Sequence, residues 1–197
     1  MKTLIITVLV VLVTAWQSNA QDSGVKPRLS VEFRPSASFA TNDLGGADIG
    51  AGGGFETTIS FRFMPHLSAY AGWGWNTFKS NDPLTGTDDS NFEETGYTFG
   101  VQFIHPLPST KISYMVGVGA IANHIEVEDS EGDIYADSGH GLGWQAECGL
   151  AIPVGEKWRL IPGIRYRSLS RDIQYGPTVT PLDLRYISIG MGVNWTF

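Results

Sequence analysis

The sequence predicts an all-β fold, an eight-stranded antiparallel up-and-down transmembrane β-barrel. Apolar residues alternate with polar residues or glycines over eight segments, which is the period of a β-strand with two different faces. Each segment has about ten residues or more, close to the length that a tilted strand needs to cross a bilayer. The connections alternate between short and long, as in a barrel with turns at one end and loops at the other.

Composition excludes several function classes. The chain has 197 residues and a formal net charge of -7, with 24 Gly, 10 Phe, 7 Tyr and 6 Trp. An acidic chain without a basic run is unsuited to nucleic acid, because that binding depends on Lys and Arg neutralising phosphates. Cys148 is the single cysteine, so neither an internal disulfide nor a Cys-rich metal or iron–sulfur site is expected. We predict no cofactor and no metal site.

The first twenty residues have the pattern of a cleaved secretory signal. Lys2 supplies a positive start, Leu4–Val13 is an apolar run, and Ser18-Asn19-Ala20 places small residues at the cleavage point. The alternative, a membrane anchor, would need about 20 apolar residues, and this run is shorter. The prediction is therefore a signal peptide over residues 1–20 and a barrel domain over residues 21–197.

The alternation is followed segment by segment along the mature chain. The predicted strands are Arg28–Phe39, Ile49–Phe63, Leu67–Thr77, Thr95–Phe103, Ile112–Ala122, Leu142–Ile152, Trp158–Tyr166 and Tyr186–Phe197. The predicted short turns are Met64–His66, His105–Ser109 and Pro153–Glu156. The predicted long loops are Thr41–Gly46, Lys79–Glu93, Ile125–His140 and Ser170–Leu182. Most acidic residues, Glu93 and Glu94 among them, fall in or beside these long loops.

The chemistry of the two strand faces indicates which one meets lipid. One face carries bulky apolar and aromatic side chains, with aromatic residues at both strand ends, as in the interfacial girdles of membrane barrels. The other face combines charged residues with glycines. Glycine has no reason to crowd a solvent face, but it makes room for large side chains inside a narrow barrel. A membrane barrel with a polar interior is therefore favoured over a soluble lipocalin-like barrel.

Charged residues on the inner face form the candidate lumen site. The acids and bases predicted to pair are Glu32, Arg34, Glu56, Arg62, Glu147, Arg159, Arg165 and Arg167. They have two interpretations, a path for protons or ions and a buried salt-bridge network that fills the barrel. The second is favoured, because an eight-stranded interior is just filled by side chains and unpaired charge there is costly.

The last strand carries a resemblance to a known family. Met191, Val193, Trp195 and Phe197 alternate along it and end on a terminal aromatic residue. With the signal, strand count, loop asymmetry and ionic lumen, the chain resembles the small eight-stranded outer-membrane barrels of Gram-negative bacteria. That family includes the OmpA barrel, OmpX and the opacity-protein surface antigens. The resemblance implies an outer-membrane location in contact with lipid, periplasmic termini, a monomer, and recognition of the last strand by the barrel-assembly machinery.

Some members of this class are lipid A hydrolases, so the histidines require scrutiny. The deacylase type has a His two residues before a Ser, and His66 with Ser68 is the matching pair. The pair lies at a short turn, Ser68 points inward and no carboxylate is placed beside it, so a triad is not expected. His140 and Glu147 differ in face and depth. We predict no catalytic residue.

The acidic third loop is the remaining candidate for ion binding. It contains Asp129-Ser130-Glu131-Gly132-Asp133, whose oxygen atoms suit Ca²⁺, but the Gly is misplaced for an EF-hand. A solvated anionic loop is therefore expected. The leading hypothesis is a non-enzymatic scaffold that presents acidic extracellular loops, chiefly Lys79–Glu93 and Ile125–His140, to an outside partner. The alternatives are a narrow ion or small-solute pore and, less favoured, a lipid A-modifying hydrolase.

Overall fold

The computed structural model describes residues 28–44, 48–80, 91–128, 134–175 and 178–197. The predicted signal over residues 1–20 lies outside these ranges, as do the centres of two long loops, residues 81–90 and 129–133. Within the described ranges the chain forms nine strands. They are β1 (Arg28–Ala40), β2 (Ile49–Arg62), β3 (Leu67–Ser80), β4 (Asn91–Pro106), β5 (Ser113–Glu128), β6 (Ile134–Asp137), β7 (Gly141–Pro153), β8 (Trp158–Tyr175) and β9 (Thr178–Thr196).

Eight of these strands close into a barrel. Neighbours in sequence pair antiparallel from β1 to β5, and β5 continues to β7, β8 and β9. Pairing of β1 with β9 closes the sheet, for example at Phe33 and Val193, while β6 adds a short edge to β5. The predicted all-β, eight-stranded antiparallel barrel is therefore confirmed. In the described part of the chain, no helix is long and apolar enough to cross a membrane.

The two faces of the barrel wall have the predicted chemistry. Outward side chains are large and apolar, as with Phe99, Val118 and Ile189, each of which is at least half exposed. Inward side chains are polar and buried, as with Gln145 and Arg167. Lumen glycines give these groups room. A Cβ on Gly100 or Gly119 would lie 2.5 Å from the hydroxyl of Tyr70, which crosses the lumen.

The strands run further than predicted at the end of the barrel that carries the long loops. Strand β4 begins at Asn91, and β5 continues to Glu128. The predicted loop Ser170–Leu182 is mostly a hairpin of β8 and β9, and the predicted loop Ile125–His140 contains β6. The predicted loop boundaries were wrong. The outward residues at this end are polar, so the strands continue without the apolar alternation from which the strand ends were predicted.

An apolar cluster fills the lumen at this long-loop end, where the sequence predicted a polar interior. We call it the cap. Its members are Leu44, Ile49, Phe78, Phe92, Ile121, Ile125, Val127, Leu169, Leu182, Leu184 and Tyr186. All are buried, and full burial of one such side chain stabilises a fold by roughly 1.5–3 kcal/mol. The cap therefore closes the interior at the end where the strands extend beyond the outward aromatic residues, such as Tyr97 and Trp144.

Candidate functional site in the barrel lumen

The middle of the lumen contains ion pairs between strands β1, β7 and β8. Arg34 donates from Nε to Glu32 Oε1 at 2.7 Å and from Nη1 to Glu147 Oε2 at 2.7 Å. Arg165 donates from Nη2 to the same Glu147 oxygen at 3.0 Å. All four side chains are buried. Glu147 therefore joins two arginines that come from β1 and β8, the two strands on either side of β9.

Glu56 extends the ion pairs to strand β2. Its Oε1 lies 2.8 Å from Arg165 Nη2, and its Oε2 accepts a hydrogen bond from Arg167 Nη2. Arg165 and Arg167 are two residues apart on β8, so both point into the lumen. They reach across the barrel to the β2 wall. The resulting chain of charges crosses the full width of the interior.

Towards the cap the network centres on Glu94. Tyr186 donates to Glu94 Oε2 at 2.5 Å, and Asn76 Nδ2 donates to the same oxygen at 2.8 Å. Arg167 Nη1 lies 3.3 Å from Glu94 Oε2, and Asn123 donates to Oε1. Tyr186 also belongs to the cap, so polar network and apolar cluster meet at this side chain.

A second branch of the network runs through amide and phenol groups. Arg167 Nε donates to Gln145 Oε1 at 2.8 Å, and Gln145 Nε2 donates to the Tyr70 hydroxyl at 2.8 Å. Both side chains are buried. Such cross-links fix the rotamers of the ionic groups, because each member has its partners in place.

The charges in this network nearly cancel. Among the described residues it contains four carboxylates and three guanidiniums, a formal balance of -1. These groups are Glu32, Glu56, Glu94, Glu147, Arg34, Arg165 and Arg167. Buried ions are costly unless paired, and every carboxylate here contacts an arginine. The arrangement is suited to holding the strands together.

The structure brings together six of the eight residues predicted for the lumen site. Arg62 and Arg159 lie nearer the end with the short turns, where they line a cavity. The prediction missed Glu94, which was assigned to a loop environment but is 0% exposed. Glu94 lies an even number of residues before the inward Gln102 on β4, so the two side chains point to the same face. This spacing in the sequence could have placed Glu94 in the lumen.

The histidine pairs weighed as catalytic candidates are not built into triads. His66 donates from Nδ1 to the Ile104 carbonyl at 3.0 Å, and Ser68 is buried in the lumen. Both line the short-turn cavity, whose described lining contains no Asp or Glu to orient the imidazole. His140 stacks on His124 at 4.5 Å between ring centroids, while Glu147 pairs with arginines inside the barrel.

Among the described residues, two side-chain clusters at the long-loop end could hold a metal ion. His124 Nδ1 lies 3.1 Å from Asp137 Oδ1 and 3.7 Å from Glu126 Oε1. Glu93 and Glu128 form the second cluster with the shared Glu126. These residues lie on the outer face of the wall, partly or fully exposed. The predicted acidic segment 129–133 lies outside the described residues.

Comparison with known proteins identifies the family. A family model described as outer membrane protein beta-barrel domain matches residues 5–197. The chain belongs to this family. A search of curated proteins found no match. Membership confirms the predicted resemblance and the outer-membrane location, and it agrees with the closed barrel described above.

Solved outer-membrane barrels share the fold of this family member. Neisserial surface protein A is 14% identical, with a TM-score of 0.57 over 87% of this chain and 97% of its own. Outer membrane protein W of E. coli is 12% identical, with a TM-score of 0.56 over 89% and 100%. OprG of Pseudomonas aeruginosa is 14% identical, with a TM-score of 0.52 over 84% and 95%. At such identities the likeness concerns the fold alone.

The terminal strand of this outer-membrane barrel displays the predicted alternation on its outer face. Met191, Val193 and Phe197 are exposed. Trp195 packs against Phe197 at 4.2 Å between ring centroids, and Lys157 lies 5.7 Å from the centre of the indole. The backbone N–H of Phe197 donates to the carbonyl of Leu29 at 3.0 Å. The final residue is thus held beside the first strand at the seam of the barrel.

Proposed function

We propose that this outer-membrane barrel is a closed, non-enzymatic scaffold that presents acidic extracellular loops for surface interaction. The observation that carries the proposal is the double filling of the lumen. The ionic network occupies the middle, and the cap occupies the long-loop end. An eight-stranded barrel has an interior just wide enough for side chains, so two filled layers in series oppose a continuous water path.

The charge of the long-loop end supports a surface role. Glu93, Glu126 and Asp137 are adjacent in the pairing of β4, β5 and β6, and they lie on the outer face. Like charges opposite one another on adjacent strands destabilise a sheet. The three acids therefore do not serve stability, which favours a role for them in binding. An acidic surface favours basic partners, and salt weakens the contact because the charges are solvated.

In this proposal the short turns and both chain termini face the periplasm, and the long loops face outward. Outer-membrane barrels of this type have short periplasmic turns and longer extracellular loops, which supports the orientation. The barrel would act as a monomer surrounded by lipid. Rigid scaffolds commonly carry their binding residues on loops, since the wall is committed to lipid on one side and to packing on the other.

Neutralising the acidic surface tests the binding role. The variant Glu126→Gln/Glu128→Gln on intact cells should bind a Lys-rich peptide about two- to tenfold more weakly, because rim charges contribute modest attraction. Glu156→Gln, an exposed acid in a short turn, is the matched control and should bind like the wild type. Equal binding by all three proteins would contradict the assigned surface, and weaker binding by the control alone would reverse the orientation.

The terminal strand is proposed to be the recognition element for the barrel-assembly machinery. Its exposed alternating residues and the terminal Phe197 support this role. Phe197→Asp should lower the amount of heat-modifiable protein in the outer membrane, while Phe63→Asp, an exposed aromatic site in a short turn, serves as the control. Normal levels of the Phe197 variant would refute the assignment.

A further inference from the structure

A separate feature lies at the short-turn end of the lumen. A cavity of about 270 Å³ opens there, on the opposite side of the ionic network from the cap. Among the described residues, three permanent cations line it, Arg62, Lys111 and Arg159, and no Asp or Glu does. The ionic network contains one more carboxylate than guanidinium, whereas the described lining of the cavity contains cations and no carboxylate. The cavity is therefore a positive pocket at the mouth of the barrel.

Buried polar groups add to the lining. Asn194 is 6% exposed, and its side-chain Oδ1 is buried without a hydrogen-bond partner in the described residues. Strand pairing sets Asn194 directly beside Arg159. A buried amide oxygen without a partner costs free energy, and a rotated amide would instead present its N–H₂ group. In the rotated orientation the N–H₂ group of Asn194 would donate to an oxygen of a ligand in the pocket.

We propose that this pocket binds the phosphate group of a small organic phosphate monoester. The donors comprise two guanidiniums, one ammonium and the hydroxyls of Ser68 and Thr196. A carboxylate offers two oxygens, whereas a phosphate monoester offers three and carries close to two negative charges at neutral pH. Arg62 and Arg159 also make contacts within the protein, and each guanidinium has five N–H donors to divide between those contacts and an anion.

The volume and lining of the pocket limit the size of the rest of the ligand. Its volume exceeds that of a single phosphate, since one water takes about 30 Å³, but it lies just below the range of drug-sized sites. Ile104, Ala151 and Ile161 form an apolar side of the lining. A short carbon chain fits beside them. The ester would come from a soluble metabolite of the periplasm or from a lipid headgroup at the inner leaflet, and both present the same chemistry.

The test uses glycerol 3-phosphate and the full-length barrel refolded in maltoside micelles, which contain no phosphate. Saturable binding is expected by titration calorimetry, weakened by salt, with no binding of glycerol. Lys111→Gln/Arg159→Gln should weaken binding by at least tenfold. Lys157→Gln removes a cation at the same end that is absent from the cavity lining, and it should bind like the wild type.

Two further measurements make the result decisive. Heat-dependent gel migration reports whether the double variant is folded; if it is not, the single variant Lys111→Gln, at an exposed side chain, should still weaken binding about tenfold. Short-chain phosphatidic acid replaces the soluble ester in a second titration, and binding of this lipid alone would assign the headgroup source. Failure of both esters to bind, or equal binding by the wild type and the folded variants, would overturn the proposal whatever the role of the acidic loops.

Discussion

The lipid-facing zone of the barrel and its long-loop end are built from the same strands with opposite polarity. On β5, Val116 and Val118 point outward in the lipid-facing zone, and Glu126 and Glu128 point outward beyond it. The phase of the alternation is unchanged between them. Inside the wall the change is reversed, from ionic groups to the apolar cap. The medium outside the wall, first hydrocarbon and then water, accounts for the change on the outer face.

The two interior layers also differ in what they contribute. The cap gains stability from apolar burial, as the core of a soluble protein does. Burying the ionic groups has a desolvation cost that their pairing offsets. The network therefore contributes less net stability than the cap, and its main effect is to fix the positions of the interior side chains. Removing one member of an ion pair leaves the other charge buried without its partner, and the desolvation cost is then no longer offset. The variants below separate the contributions of the cap and of the network.

The largest expected effect follows the loss of Arg167. Arg167→Met leaves Glu56 and Glu94 short of their shared cation and should lower the unfolding free energy by about 3–5 kcal/mol. Urea unfolding of the refolded barrel in lipid vesicles measures it. Arg185→Gln, an exposed arginine on β9, is the control and should change stability by about 0.5 kcal/mol or less. Restoring part of the loss by adding Glu94→Gln would locate the penalty in the unpaired carboxylate.

A smaller effect is expected from a defect in the cap. Leu169→Ala removes a buried side chain that is 1% exposed and should cost about 2–4 kcal/mol of unfolding free energy. Leu150→Ala, on the lipid face, should cost less because lipid can fill the space. A Leu169→Ala protein as stable as the Leu150→Ala protein would show that the cap is not packed as described.

The sequence predicted most of the lipid-facing zone because contact with lipid requires an apolar side chain at every second residue of a strand. Strand phase, outward apolar residues and inward glycines followed from alternation alone. Glu94 and the cap were missed for the same reason. At the long-loop end the outward residues are polar, as with Glu126 on β5. A strand there has the same composition as a loop, so it was predicted as one. The parity of Phe92, Glu94 and Gln102 along β4 contains the missing information.

The sequence also could not predict which acid pairs with which arginine in the lumen. Arg34 pairs with Glu147, which lies 113 residues away, and Glu56 with Arg167, which lies 111 residues away. Alternation tells which side chains face inward, but the depth of each depends on the stagger between strands that close the barrel. Arg62 and Arg159 share the inward face with the network and still lie in a different layer.

Planar-bilayer conductance of the purified barrel tests the central claim, a lumen closed by two layers in series. The wild-type protein should show no stable conductance steps, and Arg167→Met, which opens only the ionic layer, should also remain silent because the cap still seals the long-loop end. Reproducible open steps in the wild-type protein, with an ion selectivity that changes in Arg167→Met, would contradict the account and establish a pore.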